Sequence, residues 1–170
     1  MAKPSDLIVI ATVASGAGAG AAIDLWTRRV PNPLTALLAA SGVVFAATGI
    51  SGITLAGSIA GIILVLALML PGHLFGATGA GDVKLFAAVG ALMGPVPIVT
   101  AFFYTALAGG LMALAVAIHR RRLRRTLAGT ARFIATGAGN AGEIEAPLEH
   151  NRFPYAPAIA VGSVIAAVGL

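Results

Sequence analysis

Two acids stand where an apolar chain has little reason to keep them. Asp24 lies near the end of an apolar stretch that begins at Leu7, and Asp82 opens another. Asp24 is five residues ahead of Arg29, or about 7.5 Å deeper if the helix is continuous. A carboxylate well inside a bilayer costs about 2.5–3.5 kcal/mol on insertion scales, and acids kept at that cost are by default functional candidates. Two carboxylates brought together cannot both ionise easily, so such a pair holds one proton between them. One member can then take a proton from water while the other donates to a carbonyl oxygen, and the roles exchange as the intermediate collapses. That is the chemistry of amide hydrolysis without a covalent intermediate. It calls for no metal and no cofactor, and none is expected. The other acids are placed differently: Asp6 near the opposite end of the first span, Glu143, Glu145 and Glu149 in a polar stretch.

The surroundings of Asp82 sharpen the expectation. In Gly79-Ala80-Gly81-Asp82-Val83-Lys84, two glycines remove side-chain bulk beside the acid and permit unusual backbone angles, so a peptide strand could lie against the chain there. The plainer reading makes Asp82 the N-cap of the next helix or pairs each acid with Arg28, Arg29 or Lys84. Lys84 itself could support a carboxylate or substrate, or be an ordinary charge at the membrane edge. Pro31 and Asn32 are expected to shape the turn after the first span.

The elements that must carry these residues follow from composition. The chain is 58% hydrophobic and 10% charged, with mean hydropathy +0.96, against about 45–50% and about 25% for soluble domains. Lipid is the natural solvent, and the expectation is one polytopic, all-α membrane bundle over residues 1–170. There is no cysteine, which excludes disulfides and thiolate metal sites. The N-terminal apolar run has some features of a signal peptide, but Asp6 is out of place in a basic leader. Leu7 onward is therefore read as a retained span.

Between Val30 and Gly81 there is no Asp, Glu, Lys or Arg. A single helix of that length would measure about 78 Å, against a hydrocarbon core of about 30 Å, so the stretch must fold back. The break falls at Gly49-Ile50-Ser51-Gly52. Pro71-Gly72 ends the next segment, and a glycine-rich loop runs from His73 to Gly81. Gly94-Pro95-Val96-Pro97 divides the uncharged residues from Leu85 to His119. Six spans result, at about 7–26, 33–49, 53–70, 83–93, 97–118 and 153–170, with a polar loop at about 119–152. Ten of the eleven Lys/Arg residues are Arg28-Arg29, Lys84 and the arginines from Arg120 to Arg152. With six spans these all share one side, which the positive-inside rule makes cytoplasmic, with both termini outside. Trp26 and Tyr155 fit that interface as aromatic anchors. Gly16, Gly18, Gly20, Gly57, Gly61, Gly109 and Gly110 are expected to let helices approach closely.

At this point a family resemblance can be stated. Asp24 followed by Arg29-Val30-Pro31-Asn32-Pro33-Leu34-Thr35 resembles the first aspartate motif of the type IV prepilin peptidases. Gly79-Ala80-Gly81-Asp82-Val83-Lys84-Leu85 resembles their second, the GxGD signature also seen in presenilin-like proteases. Pro154-Tyr155-Ala156-Pro157-Ala158 resembles the segment that opens the last helix of small members. The resemblance implies an aspartic endopeptidase with Asp24 and Asp82 catalytic and Gly79, Gly81, Lys84, Pro31 and Asn32 supporting. Its substrate would be a prepilin or pseudopilin, cut on the cytoplasmic side of its N-terminal hydrophobic helix, in the cytoplasmic (inner) membrane. Larger members carry a cysteine-bearing cytoplasmic region and a methyltransferase activity. The missing cysteines point instead to the short tight-adherence (Tad or Flp pilus) type.

Other readings use the same residues. A small ion- or proton-coupled transporter would use the two acids as a relay, and predicts acids near mid-membrane and an inverted repeat. A non-catalytic scaffold subunit would tolerate loss of either acid. Arg120-Arg121-Arg122-Leu123-Arg124-Arg125 suits anionic lipid, and nucleic acid is not expected as a partner. His73, His119 and His150 show no ligand spacing and are given no role.

Overall fold

The computed structural model describes residues 4–75, 78–119 and 154–169, and the expected polar loop, its arginine cluster and His150 fall outside them. The described residues form six helices and no strand: α1 (Pro4–Thr27), α2 (Asn32–Ala47), α3 (Leu55–Leu74), α4 (Ala80–Met93), α5 (Pro95–His119) and α6 (Ala156–Val168). The all-α expectation holds. Three helices carry stretches long and apolar enough to cross a membrane, Asp6–Thr27, Leu55–Leu74 and Pro95–Val116. The other three, of 16, 14 and 13 residues, are about 24, 21 and 20 Å long. Large apolar side chains point outward along the long helices, among them Ile63 of α3 at 60% exposure and Phe103 of α5 at 67%. Outward apolar faces of this kind belong to an integral membrane protein.

Turn chemistry sets most boundaries. Gly49 (φ 77°) and Gly52 (φ 70°) occupy the left-handed region between α2 and α3, where a side chain would be strained. Thr54 then caps α3, its Oγ1 accepting from the Gly57 N–H at 3.0 Å. Gly94, at φ 76°, ends α4, and Pro95 opens α5 immediately. The expected loop from His73 to Gly81 is shortened at both ends: α4 opens at Ala80, and α3 runs through Pro71 to Leu74. Pro71 falls in the last turn, where its missing N–H removes one bond from a ladder that is already ending.

The core is organised around α4. It touches all five other helices, and Leu85, Phe86 and Val89 are wholly buried. Small residues make this possible. A Cβ on Gly61 would run into the Gly90 carbonyl of α4, one on Gly90 would lie 2.6 Å from the Gly61 carbonyl oxygen, and one on Gly42 would lie 2.7 Å from the Ala91 carbonyl carbon. The backbones of α2 and α3 therefore rest on that of α4. Ser58 Oγ adds a buried bond to the Ala91 carbonyl at 2.8 Å. On the other side α6 packs along both α1 and α5. Of the glycines expected to pack, Gly16 faces Leu38, Gly20 faces Leu85 and Gly109 faces Tyr155, whereas Gly18 and Gly110 meet nothing.

Candidate active site

The packing of α1 on α4 brings the two aspartates together. Gly20 of α1 lies against Leu85 of α4, where an added Cβ would sit 3.0 Å from Leu85 Cδ2. Asp24 is four residues beyond Gly20, on the same face of α1. Asp82 is three residues before Leu85, on the same face of α4. The order is opposite along the two helices, so they are antiparallel here, and stepping one turn from the Gly20–Leu85 contact reaches both acids. Asp24 and Asp82 are close enough for their charges to act on each other. Asp24 is buried, at 6% exposure, and Asp82 is half-buried.

Each acid is held by backbone. The Ala156 N–H, in the first turn of α6, donates to Asp24 Oδ2 at 3.4 Å. The Gly79 N–H donates to the Asp82 carboxylate. Gly79 is the N-cap of α4, with no side chain to cap it, so Asp82 stands at the third helical position rather than at the cap. It reaches back to the cap amide, as the acid of a capping box does. The expected N-cap role is thereby corrected in position. The arrangement leaves each carboxylate lone pairs for water or an amide.

The glycines serve space rather than unusual angles. Gly79 has φ −73° and ψ 146°, and neither it nor Gly81 is among the described residues with positive φ. This corrects the expectation of special backbone geometry. A Cβ on Gly79 would come 2.9 Å from Asp82 Oδ2, and one on Gly81 would come 3.2 Å from Val30 Cβ. Gly81 thus lets the start of α4 press onto the α1–α2 turn. That turn is sharp because Arg28 takes φ 54°, a left-handed value that costs a residue with a Cβ about 1–2 kcal/mol. Its N–H still closes α1 on the Asp24 carbonyl at 2.8 Å, and its charge bears on the Asp24 carboxylate.

Lys84 does not turn toward the acids. It is two positions after Asp82, near the opposite side of α4, and its Nζ donates to Asn32 Oδ1 at 3.0 Å. The two expected supporting residues therefore tie the start of α2 to the start of α4. Pro31 is the N-cap of α2, at φ −66° and ψ 134°. His73, given no role from sequence, spans the α3–α4 connection: its Nδ1 lies 2.9 Å from the Thr78 carbonyl, which can only accept.

Tyr155 is the residue whose place the sequence misjudged. Trp26 is 85% exposed, as an interface anchor should be, but Tyr155 is half-buried. Its ring lies over Gly109, and its phenol is near enough to Asp82 to feel that charge. The turn that opens α6 therefore serves both acids, donating the Ala156 amide to Asp24 and bringing the Tyr155 phenol within range of the Asp82 charge. The signal was present in Pro154-Tyr155-Ala156-Pro157-Ala158, which marks a constrained helix start but not what it would touch.

Outward apolar faces, with two neighbouring carboxylates of which one is buried and one half-buried, define an integral membrane protein with a candidate acid–base site. The comparisons with known proteins give its family. Residues 11–114, more than half of the sequence and including both aspartates, match the model of the type IV leader peptidase family, and the chain belongs to that family. It is similar to a prepilin leader peptidase/N-methyltransferase of Bacillus subtilis (strain 168), with 31% identity over 112 residues, covering 66% of this chain and 34% of the relative. The chain thus matches about a third of that relative's length. No solved structure matches it.

Proposed function

We propose that this protein is a membrane-embedded aspartic endopeptidase that removes the N-terminal leader of a prepilin or pseudopilin, with Asp24 and Asp82 as its catalytic pair. The observation that carries the reading is the nearness of these two carboxylates across the α1–α4 contact, close enough for their charges to interact. Family membership supports a leader peptidase, and the pairing supports the aspartic mechanism. Sharing one proton, the pair can deprotonate a water and protonate the scissile carbonyl in the same step. The Ala156 and Gly79 amides hold the carboxylates in place, a role that costs no reorganisation during reaction. The whole chain acts as one membrane-embedded domain in the cytoplasmic membrane. The basic loops, and with them the acids, face the cytoplasm, and both termini lie outside. The absence of cysteine from the sequence supports the short tight-adherence type.

The test is reconstitution in liposomes with a prepilin precursor. Asp24→Asn and Asp82→Asn should each lower cleavage by at least about 10²-fold, the scale of lost acid–base catalysis, with the thermal unfolding midpoint in detergent close to that of the parent. Cleavage retained by either variant ends the proposal.

A further inference from the structure

A second site lies on the side of α4 away from the aspartates. Both α2 and α3 rest on α4, and they meet each other far less extensively than they meet α4. Between them is a groove of about 360 Å³, walled by Ala36, Ala39, Ile62 and Leu66 and floored by Ala87 and Ala88, with Asn32, Thr35 and Lys84 at its polar end. The alanines leave the space, and exposed Ala36 and Leu66 mark its opening to lipid.

The dimensions select the occupant. From Asn32 to Ala39 is seven residues, about 10 Å of helix. The volume spread over that length gives a cross-section of about 35 Å², less than half of the about 80 Å² that a helix with side chains would need. That space suits a single hydrocarbon chain better than a whole transmembrane helix. Its mouth is electropositive. Lys84 is exposed and commits one of its three donors to Asn32. It stands beside the start of α2, where the Pro31 cap offers no side-chain bond and the first turn holds no acid. An exposed ammonium beside a helix N-terminus whose first turn carries no acid makes a positive end that suits an anion.

We propose that this groove binds an anionic phospholipid, one acyl chain lying along Ala36, Ala39 and Ala87 and the phosphate held at Lys84. The inference rests on the membrane placement and not on the peptidase reading, so its test reads lipid rather than cleavage. Purified protein is offered equal amounts of phosphatidylglycerol and phosphatidylcholine, and the retained lipid is identified by native mass spectrometry. One basic residue at the surface predicts an about fivefold preference for phosphatidylglycerol. Lys84→Met should bring the preference to parity, and Lys84→Arg should keep it. Ala87→Phe, which fills the floor, should remove the retained lipid, and Ala36→Leu narrows the opposite wall in case the larger ring disturbs folding. Equal retention of the two lipids by the parent protein overturns the proposal. So does selectivity that survives Lys84→Met, retention that survives both groove-filling variants, or a second copy of the chain found in place of lipid.

Discussion

At the scale of the residue, the acids depend on neighbours that have no chemistry of their own. Gly79 shows this most directly. Its backbone angles suit any residue, so alanine there is not penalised by conformation, but its Cβ would press on Asp82 Oδ2. Under the proposed mechanism Gly79→Ala should swing the carboxylate away from Asp24 and reduce cleavage by about 10-fold or more, since a displacement of about 1 Å at a reacting group can cost about 10²-fold. The unfolding midpoint should scarcely move. A variant that loses stability but keeps its rate would show that Gly79 serves the helix and not the acid. Asp82 is open to two readings in the sequence, cap or reactive acid. The structure gives it a cap-like bond from Gly79 and the charge of Asp24 together, so the two readings are not exclusive.

At the scale of the element, α4 is the helix whose position matters most. It is short, buried on nearly every side, and carries Asp82 in its first turn. Its place is fixed by backbone contact, chiefly Gly61 against Gly90. With apolar lipid on one side and apolar protein on the other, close packing rather than the hydrophobic effect holds such helices together. Gly61→Leu should therefore force α3 away from α4 and cost about 1–3 kcal/mol, read as a lowered midpoint in thermal or denaturant unfolding in detergent. Gly18→Leu, facing open space on α1, is the control and should have little effect. Equal losses at the two positions would remove the contact from this account. The Gly-Pro and Gly-Ser breaks that divide the helices were readable as sequence because left-handed glycine and proline act locally. The extension of α3 through Pro71 was not, because a last-turn proline is tolerated by context.

At the scale of the whole molecule, the proposed orientation puts the α1–α2 turn and the α2–α3 turn on opposite sides of the membrane. The chain has no cysteine, so a single introduced thiol reports cleanly. Thr27→Cys, exposed at the end of α1, and Thr48→Cys, exposed at the end of α2, should differ in sidedness. In intact cells a membrane-impermeant maleimide should label position 48 and spare position 27, and inverted vesicles should give the reverse. Labelling of both from the same side would refute the six-span arrangement and with it the cytoplasmic placement of the acids.

Composition and spacing alone determined that the chain is helical and lies in lipid, where most of its helices begin and end, and which two acids to watch. Those properties follow from local preferences and from solvent, and each stretch expresses them without its neighbours. What met what was decided in three dimensions. That Lys84 holds Asn32 instead of a carboxylate, that Tyr155 turns inward over Gly109, and that α6 supplies an amide to Asp24 from 132 residues away all depend on the rotation and crossing of packed helices. Apolar side chains in lipid set that rotation only weakly through hydropathy; backbone contacts between small residues fix it, and such contacts are a property of pairs of helices.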